Sequence, residues 1–261
     1  MRTLSYDLHV HPAPSAAPRW GDGARVWQAA ADAGVQGFVW KAHEEHTAAR
    51  CRTLPAEPVR AIGSASLNPW ARVADVADAI GQGALWVWGP TLDASGEIGW
   101  ELPLPALWDE LSTWLSDHTS PLVLATGHLG GEGRAAFALQ CAESDALICS
   151  ITHSLYVPID EALSLAASGC AIEVDAFTYA FPPDGLQRAD VRRHVHTLLG
   201  AGALVYFTSD GGQASTGNPF DFGAGVLDEL AGVVGDDAAG VIGVDNPAAL
   251  VARLEQPVYV P

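Results

Sequence analysis

The sequence predicts an α/β fold of the closed (β/α)8, TIM-barrel type. Three observations carry this. Eight short apolar runs, near residues 4–12, 35–40, 59–67, 84–88, 122–126, 146–152, 170–174 and 204–208, alternate along the chain with helical stretches or loops. Most of the runs are continuously apolar, as strands buried on both faces are. The length of 261 residues suits eight such units in one domain, so residues 1–261 are read as a single barrel domain. No G-x-G-x-x-G or G-x-x-x-x-G-K-[ST] loop follows a strand, which argues against an open doubly wound sheet.

In order, the first strand runs through Tyr6-Asp7-Leu8-His9-Val10-His11. Strict alternation puts His9 and His11 on one face, where two imidazoles can reach one ion, and turns Leu8 and Val10 to the other. Pro12, Pro14 and Pro18 make a loop, and a helix over 24–33 stops at Gly34. The second strand delivers Lys41 and His43. The third ends at Asn68-Pro69, read as the start of a helix to Ile80, and the fourth ends at Gly89-Pro90-Thr91. Residues 92–105 hold Gly96, Gly99, Pro103 and Pro105 without periodicity, so a long loop is expected there, of a type often functional in a compact domain. A helix over 106–117 precedes the fifth strand, which ends at Gly127-His128. Helix 132–142 leads to the sixth strand, ending at His153, and helix 159–168 to the seventh, ending at Asp175. Helix 186–199 leads to the eighth strand, ending at Ser209-Asp210-Gly211-Gly212, and two helical pieces close the chain.

The formal net charge of −18, from 31 acidic and 13 basic residues, makes nucleic acid and anionic membrane poor partners. No apolar run is long enough to span a bilayer, and a cytoplasmic location is expected. The four cysteines lack C-x-x-C spacing and read as buried apolar side chains in a reducing compartment. Lys41 is the single lysine among 13 basic residues and sits in an apolar strand, as though a primary amine were needed there.

Functional groups in such barrels gather at the carboxyl ends of the strands. His9, His11, Lys41, His43, His128, His153, Glu173, Asp175 and Asp210 all fall there, whereas His118, His194 and His196 fall on helices or helix ends and read as surface groups. Four imidazoles and a carboxylate, His9, His11, His128, His153 and Asp210, suit a divalent ion of the zinc, manganese or iron kind. Such an ion acidifies bound water, and Asp210 could carry the proton. Asp7, on the His9 side of the strand, is expected to orient an imidazole. Glu173 needs a partner inside its apolar strand. Arg19 and Arg134 are candidate contacts for a substrate anion, and Trp88 and Trp100 candidate pocket walls.

These residues resemble the amidohydrolase superfamily of metal-dependent (β/α)8 hydrolases, with H-x-H on strand 1, one His on each of strands 5 and 6, and Asp on strand 8. The chain is most similar to a poorly characterised amidohydrolase-like group in which Asp-Leu-His-Val-His, Lys-x-His, Trp-x-Pro-Thr, Thr-Gly-His, Thr-His and Ser-Asp-x-Gly-Gln recur in this order, here at 7–11, 41–43, 88–91, 126–128, 152–153 and 209–213. The resemblance implies a hydrolase that turns metal-activated water, with an Asp proton shuttle, on an amide, ester or lactone bond of a small-molecule substrate. It implies one or two ions, most readily zinc. Two-metal members bridge their ions with a carboxylated lysine on strand 4, and here that stretch, Trp86 to Thr91, has none. Lys41 is the only amine available as a bridging, carboxylated ligand; the alternative is a mononuclear site in which Lys41 meets an anionic group directly. His43 is a further ligand or proton donor. Three other readings stay open: a phosphoesterase of the polymerase-and-histidinol-phosphatase type, although Asp210-Gly211-Gly212 stands where that type carries D-x-H; a mononuclear metal-dependent decarboxylase; and a non-catalytic metal-binding barrel. Substrate identity and homo-oligomer formation are not specified.

Overall fold

In the computed structural model, which describes residues 2–256, eight parallel strands stand in the order of the sequence. They are β1 (Tyr6–Val10), β2 (Gly37–Trp40), β3 (Arg60–Ser66), β4 (Ala84–Trp88), β5 (Leu122–Ala125), β6 (Leu147–Ile151), β7 (Ala171–Asp175) and β8 (Val205–Thr208). Around them lie α1 (Gly23–Ala33), α2 (Ala48–Cys51), α3 (Val73–Gly81), α4 (Trp108–Ser116), α5 (Gly131–Ala142), α6 (Ile159–Ala167), α7 (Ala176–Ala180), α8 (Arg188–Gly200), α9 (Pro219–Val234), α10 (Asp236–Gly240) and α11 (Asn246–Leu254). The predicted (β/α)8 barrel is the fold.

Side-chain alternation builds two cores. Val87, Leu122, Leu124, Cys149, Ile172, Val174, Val205 and Phe207 face outward under the helices. Val39, Ile62, Trp86, Trp88, Val123, Ile148, Ala171 and Tyr206 fill the barrel interior, with Leu250, Val251 and Leu254 of α11 packed against them. Cys141, Cys149 and Cys170 are buried, as expected of small apolar groups. No helix of the described residues is long and apolar enough to cross a membrane.

Strand β1 departs from strict alternation. Its pairing with β2 slips between Asp7 and Val10, where three steps along β1 match two along β2, a bulge. Leu8 therefore packs in the barrel interior, while Val10 packs outward against Val26, Ala30 and Phe38. The extra residue lets His9 and His11 turn to the mouth directly above Leu8, an arrangement that period-2 reasoning alone misses.

The barrel closes between β8 and β1 with little backbone pairing, a single parallel bridge joining Val10 to Gly211. Buried Asp7 supplies the rest. Its Oδ1 accepts from Ser209 N at 2.9 Å and Thr208 Oγ1 at 2.5 Å, and its other contact, with His9, is to the backbone N at 3.5 Å. Asp7 is thus a seam brace and does not orient an imidazole.

Other local expectations shift for identifiable reasons. Asn68 does not start a helix, because its side chain is engaged elsewhere: Oδ1 accepts from Thr91 N and Leu92 N at 2.8 and 2.9 Å, and Nδ2 donates to His43 O at 2.5 Å. Helix α3 begins instead at Val73, where Arg72 and Asp75 cap it. His194 is not a surface group. It shares the inward face of α8 with Val191, Val195 and Leu198, and its Nε2 lies 3.2 Å from Ser154 Oγ. The closing pieces are three helices, α10 and α11 being joined by a π-helical turn over Val241–Asp245.

The ends of β4 and β5 meet through glycine. A Cβ at Gly89 would run into the Thr126 carbonyl, and one at Gly127, whose φ is +57°, would stand 2.5 Å from Gly89 O. Gly89→Ala should therefore cost about 1–3 kcal/mol and lower the thermal midpoint by several degrees. An unchanged midpoint in a calorimetric scan would refute this close approach.

Candidate metal centre

The predicted metal ligands, with Lys41 and His43, reach the same mouth. His9 and His11 come from β1 and its end, Lys41 and His43 from beyond β2, His128 from beyond β5, His153 from beyond β6 and Asp210 from beyond β8, and all are buried. Both His153 and Asp210 have left-handed backbone, φ 51° and 45°. Non-glycine residues seldom adopt it, and such conformations cluster at functional sites.

Asp210 Oδ1 is the point of convergence, 3.2 Å from His9 Nε2 and 3.0 Å from His11 Nε2. Donor atoms of His9, His11 and Asp210 all lie within 4.8 Å of one another, as do those of His153, Asp175 and Asp210. His128 borders these groups, its ring centroid 5.2 Å from that of His153.

Three imidazoles are oriented from behind. His9 Nδ1 lies 3.2 and 3.3 Å from the Glu173 oxygens, His153 Nδ1 3.0 Å from Asp175 Oδ2, and His128 Nδ1 2.6 Å from Gly99 O. A carbonyl can only accept, so His128 carries its proton on Nδ1 and offers a lone pair at Nε2; a carboxylate imposes the same tautomer on neutral His9. Glu173 therefore performs the role that the sequence suggested for Asp7. It also accepts from His153 N and Tyr206 Oη, both at 3.2 Å, which resolves its presence in an apolar strand.

Burial holds His9, His11, His43 and His128 well below the usual imidazole range, so they are neutral donors. Burial also lowers His153, but Asp175, with Asp210 and Glu173, outweighs it and lifts the ring to about 9. Burial pushes Lys41 down and Glu173 up. Lys41 Nζ stands 2.9 Å from His9 Nε2 and 4.2 Å above the Trp88 ring, making the buried Trp88 a floor beneath the amine.

This donor set fits a divalent cation. With His9 Nδ1 protonated, the Nε2 lone pair faces a carboxylate oxygen 3.2 Å away, an approach that calls for positive charge beside both, which the Lys41 amine 2.9 Å from Nε2 or a bound cation supplies. Separations of 3.0–3.2 Å are also about those of neighbouring donors held ~2.1 Å from one ion. His9, His11, Asp210 and, on giving up its Nε2 proton, His153 could hold it, with His128 at the border.

Beside these groups lies a cavity of about 250 Å³ lined in part by Arg19, Leu92, Ile98, Trp100 and Phe177. Loop 92–105 builds one wall and also supplies the Gly99 carbonyl. Trp100 stacks on His128 with centroids 4.1 Å apart. His43 Nδ1 lies 2.8 Å from Thr91 Oγ1 and its ring stacks on His11. Arg134, in contrast, is spent within the scaffold: Nε donates to Glu161 at 2.7 Å and Nη1 to Leu129 O at 2.6 Å, so it is no substrate contact. The Gly99 carbonyl had no sequence signal, since a backbone oxygen does not mark itself; Thr91 stands in the sequence only as the end of the Trp-x-Pro-Thr stretch, without a role.

Comparison with known proteins agrees with the barrel. A sequence profile described as a family of unknown function (DUF6282) matches residues 5–102. No curated protein matches the chain in sequence. Among solved structures, a protein from Acinetobacter baumannii assigned as a 2-pyrone-4,6-dicarboxylic acid hydrolase, with citric acid bound, is similar at TM-score 0.61 and 15% identity, over 95% of this chain and 99% of that one. A Pseudomonas putida protein assigned the same activity has TM-score 0.65 and 14% identity, over 97% and 99%. Ochratoxinase from A. niger has TM-score 0.61 and 11% identity, over 95% and 71%.

For an ion held by His9, Glu173→Gln should weaken zinc binding about 10–100-fold, measured by competition with a chromogenic chelator. Unchanged affinity would contradict the orienting role of Glu173.

Proposed function

We propose that the chain is a metal-dependent hydrolase of the amidohydrolase superfamily, acting on a carbon–nitrogen, carboxylic ester or lactone bond. The observation that carries this reading is Asp210 Oδ1 within 3.2 Å of both His9 Nε2 and His11 Nε2 at the barrel mouth. The names of similar barrels, two of them assigned as hydrolases of a pyrone, itself a cyclic ester, are in keeping with it.

A divalent ion, zinc ahead of manganese or iron, would be held by His9, His11, His153 and Asp210, with His128 completing the set. When bound, it supplies Lewis acidity and makes water acidic near neutral pH. The remaining work belongs to the chain. Asp210 takes the proton of the attacking water and passes it to the leaving group. Lys41, an unmodified amine in this reading, donates to the oxygen on which negative charge develops. His43, neutral, held by Thr91 and facing the cavity, is placed to hydrogen-bond the substrate. The apolar wall of Leu92, Ile98 and Phe177 keeps bulk water from the reacting groups.

Asp210→Asn should keep the fold and lower turnover by about 10²–10⁴-fold, measured on metal-quantified protein with a panel of amides, lactones, carboxylic esters and phosphomonoesters. Undiminished turnover would remove Asp210 from its role, and cleavage of phosphomonoesters alone would overturn the bond class.

The role of Lys41 has its own measurement. One ion per chain by elemental analysis, and an intact mass without added carbon dioxide in the absence of acid, is the expected result. Two ions with a carboxylated lysine would make Lys41 a bridge instead.

A further inference from the structure

Arg19 is a cation without a carboxylate partner at the edge of the site. Among the described residues no carboxylate oxygen lies within ion-pair distance of its guanidinium. Its Nη2 donates to Ser15 Oγ at 3.1 Å, while its Nε, although buried, has no hydrogen-bond partner. The two carboxylates whose fields reach it are engaged elsewhere. Asp210 faces His9 and His11, and Glu44 Oε1 accepts from Ser15 Oγ and Ala16 N at 3.1 and 3.0 Å. An orphaned buried donor on a charged group is costly unless a ligand completes it.

Arg19 is also fixed in position. The loop after β1 is stitched to the loop after β8 by Trp20 N to Gly212 O at 2.9 Å, Ala214 N to Pro18 O at 3.2 Å and an antiparallel bridge between Arg19 and Gln213. With its backbone held in this way and Nη2 on Ser15, the planar guanidinium has donors left that suit a carboxylate. The cavity wall of Leu92, Ile98, Trp100 and Phe177 is apolar, and Ile98 and Trp100 are 59% and 49% exposed. A void of about 150 Å³ accommodates benzene, so the cavity of about 250 Å³ has room for one ring and a short polar arm.

We propose that the site takes small amphipathic carboxylates, the carboxylate on Arg19 and an aryl-sized apolar group against Leu92, Ile98, Trp100 and Phe177. For catalysis this rests on the hydrolase reading and names its substrate class: amides, esters or lactones carrying a free carboxylate and an apolar ring. Its measurement does not depend on turnover.

The experiment is calorimetric titration of the metal-quantified protein with 3-phenylpropanoate, its neutral amide 3-phenylpropanamide, and acetate. A hydrogen-bonded charge pair predicts 3-phenylpropanoate tighter than its amide by about tenfold or more, and burial of the ring predicts it tighter than acetate by at least about as much. Arg19→Gln should erase the advantage over the amide, and Arg19→Lys should keep part of it, with thermal midpoints recorded for both. Equal binding of acid and amide, no binding of the acid, or an acid preference that survives Arg19→Gln would overturn the proposal. An intact preference in a protein that hydrolyses nothing in the substrate panel would instead sink the hydrolase reading and leave this one standing.

Discussion

The site depends on how the barrel closes between its last and first strands. Strands β1 and β8 share almost no ladder, so the junction rests on buried Asp7, which accepts from Thr208 and Ser209. Ser209 precedes Asp210, and Asp7 stands two positions before His9. One carboxylate therefore sets the distance between the two imidazoles of β1 and the aspartate of β8. Burial raises Asp7 to about 6, and the hydrogen bonds from Ser209 and Thr208 oppose that rise. The β1 bulge acts with it by letting the interior receive both Leu8 and His9.

Around that junction, orientation is set by groups that do not themselves face the cavity. Glu173 and Asp175, both on β7, and Gly99 O, from loop 92–105, orient three imidazoles. The Gly99 contribution makes loop 92–105 part of the site. Leu102 N bonds His128 O and Gly130 N bonds Leu102 O, so the loop is held by the strand end it serves. The same segment thus supplies both the hydrogen-bond partner of His128 and part of the apolar cavity wall.

Much of this was legible in the sequence. The strands and the residues ending them, His9, His11, Lys41, His128, His153 and Asp210, follow from apolar runs closed by polar groups, because parallel strands buried on both faces leave polar side chains only at their ends. The illegible parts have physical causes. Period-2 logic cannot foresee a bulge, so the facing of Leu8 and the role of Asp7 were misassigned. Long-range pairing sent Asn68 and Arg134 to backbone carbonyls and a distant carboxylate, leaving neither as a helix cap or a substrate contact. His194 lay hidden because a polar residue on a helix reads as exposed until the i, i+3, i+4, i+7 face holding it is seen to pack inward.

The central claim is that one ion sits where β1 meets β8. Crystals of the zinc-loaded protein, measured at the zinc absorption edge, test it most directly. The account predicts an anomalous peak between His9 Nε2, His11 Nε2 and the Asp210 carboxylate, with His153 Nε2 directed at it. A peak confined to surface histidines such as His46 or His196, or a fully zinc-exposed crystal with Lys41 Nζ occupying that position and no ion, would contradict it.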